Sequence, residues 1–238
     1  MKTILHKSDT RGYANHGWLE TYHSFSFADY YDRERIHFGA LRVLNDDIVA
    51  GGQGFGMHPH DNMEIITIPL EGELEHKDSM GNSGVISNGE IQVMSAGKGI
   101  LHSEFNKNSG RDVKLLQIWV FPNKQNVEPR YDQISIKDFE IENEFFQIVS
   151  PDRSDQGSWI HQDSWFHLGN FKAGADKEYL LKGGNHGVYV FVIDGDVVVE
   201  GQELGKRDGM GIYETDKITI SSKSNSRLLL MEVPMKLN

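Results

Sequence analysis

Two short motifs carry the side chains with the clearest chemical potential. They are HPH at residues 58–60 and HSE at residues 102–104. Alternate side chains of a β-strand point to the same face, so each motif would direct both of its functional groups to one side. If the two strands are neighbours, three imidazoles and one carboxylate meet at a single point. The predicted metal ligands are His58, His60, His102 and Glu104.

Imidazole and carboxylate ligands suit a range of divalent transition ions. Fe(II), Mn(II), Ni(II), Co(II), Cu(II) and Zn(II) are all compatible with this ligand set, whereas Cu(I) prefers sulfur ligands and the chain has no cysteine. Four protein ligands on an octahedral ion leave two positions open, and open positions are typical of catalytic metal sites. We therefore expect one ion per chain, at a site that performs chemistry.

Other polar residues near the motifs have less certain roles. Glu64 would share a face with His58 and His60 if strand alternation continued, either as a fifth ligand or as a hydrogen-bond acceptor for a ligand histidine. Spacing alone does not separate these two roles. His76 ends the segment ELEHKD, and we expect it at a barrel mouth or on the surface. The histidines without a partner at ligand spacing, expected to be structural or exposed, are His23, His37, His161, His167 and His186.

The sequence around the motifs is typical of an all-β protein. Short runs rich in Val, Ile, Phe and Tyr alternate with turn residues, and long helical periodicity is absent. Many short strands at this spacing predict a barrel or a sandwich. The runs are residues 37–44, 64–70, 91–96, 114–121, 187–193, 196–200, 217–221 and 227–233.

The two halves of the chain resemble each other. ITIPLEGELE at residues 66–75 and YVFVIDGDVV at residues 189–198 each contain an apolar strand, a glycine between two acidic residues, and a second strand. Gly72 then aligns with Gly195, an offset of 123 residues. The sequence therefore predicts a duplicated β-barrel. The predicted domains are residues 1–130, an N-terminal metal-binding barrel, and residues 131–238, a C-terminal barrel without metal ligands.

The offset of 123 residues also indicates what the second barrel lacks. It aligns His58 with Leu181 and His60 with Gly183. Neither Leu181 nor Gly183 has a side chain that can bind a metal. We expect the C-terminal barrel to pack against the first and to bury its outer face.

Composition excludes several classes of protein. The formal net charge of -11 argues against direct binding to nucleic acid, which requires clustered Lys and Arg. The absence of cysteine excludes disulfides and thiolate metal sites and fits a reducing, cytoplasmic environment. The start of the chain, MKTILHKSDT, lacks the apolar core of a secretion signal. No apolar run approaches the roughly 20 residues that span a bilayer, so no membrane association is expected.

Five segments resemble one family of cupins. HxH-x3-E at residues 58–64, followed by Gly72 and then by GEIQVMSAGKGILH at residues 89–102, resembles the paired cupin motifs. The wider segments resemble the pirin family, in particular its bacterial quercetin 2,3-dioxygenase branch. The likeness is dense from about residue 10 to residue 132 and looser beyond. The segments are SFSFADYYD (24–32), FGALRVLNDD (38–47), GFGMHPH (54–60), EGELEHKDSMGN (71–82) and MSAGKGILHSE (94–104).

The resemblance implies a specific fold and ligand set. It implies a bicupin, that is, two jelly-roll-type β-barrels, with a metal in the N-terminal barrel alone. The family's ligands fall on His58, His60, His102 and Glu104, the residues already found by spacing. Glu64 is then a neighbour of the site and not a ligand. Fe(II) is the expected ion.

The resemblance also implies an activity. We expect a metal-dependent dioxygenase that acts on quercetin or a related flavonol, a monomer whose partners are a small aromatic substrate and O2. Glu104 would serve as a ligand and as the base that takes the proton from a substrate hydroxyl. Phe55, Met57, Met63 and Leu101 flank the ligands and either line an apolar pocket or pack in the core.

Two other functions are compatible with the same residues. One is a metal-binding, redox-sensing regulatory protein of the pirin type, which acts through a protein partner. The other is a different metal-dependent reaction, such as isomerisation or oxidation of another small molecule, because one fold hosts many chemistries.

Overall fold

We describe residues 1–237 from a computed structural model, and these residues contain 22 strands and two short 3-10 helices. The strands form two seven-stranded and two four-stranded sheets. The helices are Ser8–Thr10 and Lys137–Phe139. Within the described residues, no helix has the length and apolar character that a membrane crossing requires. The predicted all-β fold is confirmed.

The first half of the chain supplies most of one barrel. Its strands are β1 (Lys2–His6), β2 (Gly12–Asn15), β3 (Leu19–His23), β4 (Leu41–Val49), β5 (Gly54–His60), β6 (Glu64–Glu71), β7 (Glu73–Asp78), β8 (Ser83–Ser87), β9 (Glu90–Ser95), β10 (Ile100–Asn106), β11 (Val113–Val120) and β12 (Arg130–Ser135). The larger sheet has the order β12-β9-β6-β11-β4-β3-β2, and the smaller has the order β5-β10-β7-β8.

The second half repeats this arrangement. Its strands are β13 (Phe145–Ser150), β14 (Ser158–Trp159), β15 (Trp165–Phe171), β16 (Asp176–Leu180), β17 (His186–Asp194), β18 (Val197–Val199), β19 (Gln202–Leu204), β20 (Gly209–Tyr213), β21 (Lys217–Ser222) and β22 (Ser226–Pro234). The larger sheet has the order β1-β20-β17-β22-β15-β13-β14, and the smaller has the order β16-β21-β18-β19.

Two strands join the sheet on the other side of the predicted boundary at residue 130. β1 pairs antiparallel with β20, with Lys2 opposite Tyr213, so the first strand of the chain lies at the edge of the C-terminal sheet. β12 pairs antiparallel with β9, with Arg130 opposite Ser95, and occupies the matching edge of the N-terminal sheet. A division of the chain at residue 130 therefore assigns every strand to its sheet except these two. Nothing in the local sequence of either strand specifies which sheet it joins.

The two larger sheets pack face to face. Ile66 and Ile118 from one sheet share a buried cluster with Tyr189, Phe191 and Leu229 from the other. The expected packing of the C-terminal barrel on the outer face of the first is thus present. Apolar area removed from water at this interface stabilises both halves together.

The repeated glycine turns confirm the internal duplication. Gly72 joins β6 to β7 with φ of +79°, and Gly195 joins β17 to β18 with φ of +86°. Both conformations are in the left-handed region, which residues with a Cβ rarely adopt. A Cβ at Gly72 would lie 3.0 Å from the carbonyl oxygen of Asp112, and one at Gly195 would lie 2.4 Å from that of Asn225. The offset of 123 residues therefore relates equivalent turns.

Candidate metal centre

The two motifs lie on adjacent strands of the smaller N-terminal sheet. β5 is the edge strand of that sheet, and β10 pairs with it so that His102 lies opposite His58. Pro59 is exposed, while His58 and His60 are partly buried, as alternation requires. A proline within a strand is tolerated at an edge, because it has no N–H to donate to a neighbouring strand. The register shifts between His102 and Glu104, which marks a β-bulge next to the site.

The three predicted imidazoles meet inside the barrel. The ring centroids of His58 and His102 are 4.4 Å apart, and each ring lies 4.8 Å from that of His60. Their candidate ligand atoms all lie within 4.8 Å of one another. The Nδ1–H of His58 donates to the carbonyl oxygen of Gly56 at 2.7 Å, which leaves Nε2 free to bind an ion.

Glu104 lies beside this group, deeper in the barrel. It forms a second close group with His76 and His102, again within 4.8 Å. Gln117 donates from Nε2 to Glu104 Oε2 at 3.0 Å, and the Thr67 hydroxyl donates to Oε1 at 3.4 Å. Burial raises the pKa of Glu104 to about 7, against the opposing effect of these two hydrogen bonds. The structure thus brings the fourth predicted ligand next to the other three through His102.

The burial of His102 and its unpartnered ring nitrogens are compatible with metal binding. The side chain is buried, and neither ring nitrogen has a hydrogen-bond partner among residues 1–237. Buried polar groups in proteins nearly always have a partner, and a bound ion would provide one. Burial and the neighbouring His58, His60 and His76 lower the pKa of His102 to about 2. The ring is therefore neutral at physiological pH, the form that binds metals.

His76 does not lie where the sequence predicted. It is fully buried, 5.3 Å from the ring of His102, and stacks on Tyr131 at 4.6 Å. Its Nε2 lies 3.3 Å from a carboxylate oxygen of Asp78. The surface expectation was wrong for two reasons: β7 continues past His76 to Asp78, and Tyr131 on the exchanged strand β12 covers the ring.

Glu64 also points away from the expected direction. Its side chain accepts a hydrogen bond from the Ser95 hydroxyl at 2.7 Å and shares the strand face of Ile66, which packs against the other barrel. The expectation assumed unbroken alternation from His60. Asn62, with φ of +44°, instead forms a turn between β5 and β6 and resets the phase of the side chains. Glu64 is a buried group of the sheet interface, and burial raises its pKa to about 7.

The histidines open onto a cavity of about 670 Å³. Its aromatic wall consists of Tyr13, Trp18, Phe27, Tyr30, Phe55 and Trp119. Of the four apolar residues that flank the ligands in sequence, only Phe55 is among the lining residues. Met57 and Leu101 are exposed, and Met63 packs in a small core cluster. The cavity has the size and the mainly apolar lining of a small-molecule site.

Sequence reasoning missed a polar wall of the same cavity. β3 contributes Thr21 and His23, and β4 contributes Asn45 and Asp47. All four are buried. Their sequence signal is polar residues at alternate positions of strands whose other inward residues, such as Leu19, are apolar. That pattern can be recognised only after the inward faces of β3 and β4 are known.

The comparisons with known proteins agree with this geometry. Residues 5–120 match the family model described as Pirin, and residues 147–233 match the model described as Quercetinase C-terminal cupin domain. The chain is 42% identical over 231 residues to a protein of Escherichia coli K12 named quercetin 2,3-dioxygenase, covering 97% of this chain and 98% of that protein. The chain belongs to the pirin family. The expected bicupin fold is thereby confirmed.

Other pirins extend the likeness. A pirin-like protein of Caulobacter vibrioides is 37% identical over 225 residues, covering 94% of this chain and 96% of its own. The crystal structure of the bacterial pirin YhhW from Escherichia coli in complex with nickel(II) is 40% identical. It covers 99% of this pirin and all of the YhhW chain, with a TM-score of 0.93. A relative with the same fold therefore binds a divalent transition ion.

The second barrel of this pirin contains a buried carboxylate with several hydrogen-bond donors. Among the described residues, both groups of side chains that could hold an ion lie in the N-terminal barrel. In the C-terminal barrel, the buried carboxylate of Glu232 accepts hydrogen bonds from the backbone N–H groups of Lys182 and Gly183 and from the Tyr179 hydroxyl. His186 Nδ1 lies 3.0 Å from the same carboxylate. This carboxylate is satisfied by the protein itself.

Proposed function

We propose that this pirin is a metal-dependent dioxygenase that acts on quercetin or a related flavonol. The observation that carries the proposal is the cluster of three imidazoles and a buried carboxyl at a mainly apolar cavity of about 670 Å³. A flavonol is a planar aromatic molecule, and Trp119 and Phe55 offer flat surfaces beside the ligand histidines. Curated relatives that align over nearly the whole chain are named quercetin 2,3-dioxygenase.

The proposed metal ligands are His58, His60, His102 and Glu104, and the proposed ion is Fe(II), one per chain. Nitrogen and oxygen ligands of this kind suit Fe(II), and the nickel(II) complex of YhhW indicates that related sites accept other divalent ions. When bound, such an ion acts as a Lewis acid toward a substrate hydroxyl and as a redox partner in reactions with O2. The neutral state of His102 and the free Nε2 of His58 prepare the site for it.

The protein side chains supply orientation and proton transfer. Glu104 is proposed to take the proton from the substrate hydroxyl, because a carboxylate within hydrogen-bond reach can serve as a general base. Gln117 and Thr67 fix the orientation of its two oxygens. The aromatic wall holds the ring system and excludes water, which strengthens the polar interactions inside the cavity.

The proposed partners are a small aromatic substrate and O2, without nucleic acid. The net charge of -11 opposes the approach of a phosphate backbone. We further propose that the protein is a monomer. We propose the cytoplasm as its compartment, since the chain has no cysteine that would require an oxidising environment.

The direct test combines metal analysis with turnover. Elemental analysis of protein purified without added metal identifies the resident ion. Protein loaded with Fe(II), Ni(II) or Cu(II) is then mixed with quercetin, and loss of quercetin absorbance is measured together with O2 uptake. We expect equal consumption of the two. Stoichiometric metal without turnover for any ion would overturn the dioxygenase proposal and favour the regulatory role.

A further inference from the structure

The polar wall of the cavity contains a carboxyl group that the proposed reaction at the metal does not use. Asp47 lies on β4, is 4% exposed and lines the same cavity as the ligand histidines. Thr21 on β3 donates its hydroxyl hydrogen to Asp47 Oδ1. The hydrogen bonds among residues 1–237 engage that oxygen and leave Oδ2 without a protein donor. An acceptor atom therefore remains available on a buried cavity wall.

The neighbouring residues hold this wall rigidly. His23 and Asn45 bond to each other, with Nδ1 of the histidine 2.8 Å from Oδ1 of the amide. Asn45, Asp47 and Thr21 come from paired positions of β3 and β4, where Thr21 lies directly opposite Asp47. Groups fixed on regular strands are pre-organised, so they lose little freedom when a ligand binds.

The fold itself does not need an acid at this position. In the N-terminal sheet Asp47 pairs with Leu115 of β11, and in the C-terminal sheet Gly169 pairs with Leu228 of β22 at the equivalent place. There the rings of Phe145 and Phe171 fill the space beside the glycine. Apolar filling is the stable solution, because burial of a carboxyl costs free energy. Burial raises the pKa of Asp47 to about 7, which reflects that cost.

We infer that Asp47 binds a hydroxyl group of the aromatic substrate and so selects flavonols that carry hydroxyls beyond the one at the metal. This inference rests on the proposed function and adds a specificity-determining residue to it. A hydroxyl that donates to Oδ2 of Asp47 would satisfy the remaining acceptor. A substrate that lacks such a hydroxyl would leave the carboxyl desolvated and unpaired, which is how polar sites reject close analogues.

The test compares two flavonols on the metal-loaded protein. Quercetin carries several ring hydroxyls, whereas 3-hydroxyflavone keeps only the hydroxyl next to the ketone. In Asp47→Asn we expect the dissociation constant for quercetin, from anaerobic spectral titration at pH 8, above the Asp47 pKa of about 7, to rise by about tenfold, the effect of losing a hydrogen bond to a charged group. The constant for 3-hydroxyflavone should change by less than about twofold, and metal content should stay at the wild-type level.

Two further variants provide a control and a second test of the same site. Asp46 is next to Asp47 but lies on the other face of β4, where it forms ion pairs with Arg11 and Arg207. Asp46→Asn should therefore lower the stability of the protein and leave the preference between the flavonols unchanged. Thr21→Val removes the hydroxyl that positions Asp47, and we expect a loss of quercetin preference of about threefold. This variant decides the question if Asp47→Asn fails to fold.

The outcomes separate the two levels of the proposal. Equal weakening of both flavonols in Asp47→Asn, or an unchanged preference in both cavity variants, would overturn the hydroxyl site while wild-type turnover upholds the dioxygenase. Wild-type protein that binds metal but neither binds nor oxidises either flavonol would overturn the dioxygenase, and the hydroxyl site with it.

Discussion

The interiors of the two barrels can be compared position by position, because their strand registers match. In the N-terminal sheet Gln117 lies between Asn45 and Thr67. At the equivalent place in the C-terminal sheet Leu230 lies between His167 and Val190. Gln117, which donates a hydrogen bond to Glu104, is thus replaced by Leu230, which packs with Val190 in an apolar core. One topology serves function in the first barrel and stability in the second.

The same contrast appears in the smaller sheets. His76 and Glu104 are opposite one another in the N-terminal barrel. The offset of 123 residues places Val199 at the position of His76, and its partner across the strands is Ile220. Both of these aliphatic residues are buried in the C-terminal core. The N-terminal barrel therefore carries buried polar groups at positions that its copy fills with close-packed hydrocarbon, and it gives up packing free energy to do so.

One buried glutamate in each barrel shows the difference, because their pKa values shift in opposite directions. Glu104 has two hydrogen-bond donors and a pKa raised to about 7, so its environment does not favour the charged form. Glu232 has several donors; burial alone would raise its pKa, but the hydrogen bonds from His186, Gly183, Tyr179 and Lys182 together lower it. We expect the first carboxyl to matter for activity and the second for stability.

The largest expected effect is on turnover. Glu104→Gln should reduce the rate of quercetin oxidation by about 10²- to 10⁴-fold at equal metal loading, because the amide cannot take a proton. The matched change Glu232→Gln, in the other barrel, should leave the rate of the folded protein unchanged. Comparable activity in the two variants, measured by O2 uptake, would break the comparison.

The next effect concerns metal content. His102→Ala should lower bound metal by at least about tenfold, since the variant loses the imidazole between the other ligands. His167→Ala, which removes a buried histidine from the C-terminal barrel, should keep one equivalent. Elemental analysis decides the matter, and full occupancy in His102→Ala or a second equivalent in the wild type would contradict the assignment of one site.

The third effect is on stability. Glu232→Gln should lower the free energy of unfolding by about 3 kcal/mol at pH 7, because four donors lose their charged acceptor. The pKa of Glu232 is lower in the folded state than in the unfolded chain, so its stabilisation is present above pH ~4.3 and is lost as the pH falls through the folded-state value. Urea unfolding at pH 7 and at pH 3 should show the difference between wild type and variant shrinking in acid.

A control on the surface calibrates that result. Glu203→Gln changes an exposed carboxylate on β19 and should alter the free energy of unfolding by less than about 0.5 kcal/mol. A loss in Glu203→Gln as large as that in Glu232→Gln would show that the buried carboxylate has no special role.

The smallest effect distinguishes the two glycine turns. Alanine at either position should cost about 1–2 kcal/mol for the left-handed backbone. Gly195→Ala should cost about 1 kcal/mol more than Gly72→Ala, because its Cβ would approach a carbonyl oxygen to 2.4 Å instead of 3.0 Å. Equal costs in thermal or urea unfolding would mean that both turns relax to the same degree.

The sequence predicted the parts of the site that obey strand periodicity. The residues of each pair, His58 with His60 and His102 with Glu104, are two positions apart within one strand, so local alternation determines their faces. The glycines at positions 72 and 195 revealed the duplication because a left-handed turn restricts the residue type. In these places local chemistry and the overall fold specify the same arrangement.

The sequence did not predict features that depend on partners far along the chain. Asp47 and Thr21 form a site only because β3 and β4 pair, and neither has a ligand-like spacing. His76 is buried by Tyr131, which arrives from a distant strand. Glu64 was misplaced because one residue, Asn62, resets the alternation. Long-range pairing and single-residue phase shifts leave no periodic signal.

The exchanged edge strands have a consequence for the order of assembly during synthesis. Strand β1 is made first, but its partner β20 ends at Tyr213, so at typical translation speeds β1 waits roughly 10–40 s for the strand it pairs with. The barrel that bears the histidines, by contrast, has all of its own strands once β12 is made at residue 135. The half that bears the histidines can therefore begin to fold while its neighbour is still being translated, and the pairing of β1 must wait until β20 has been made.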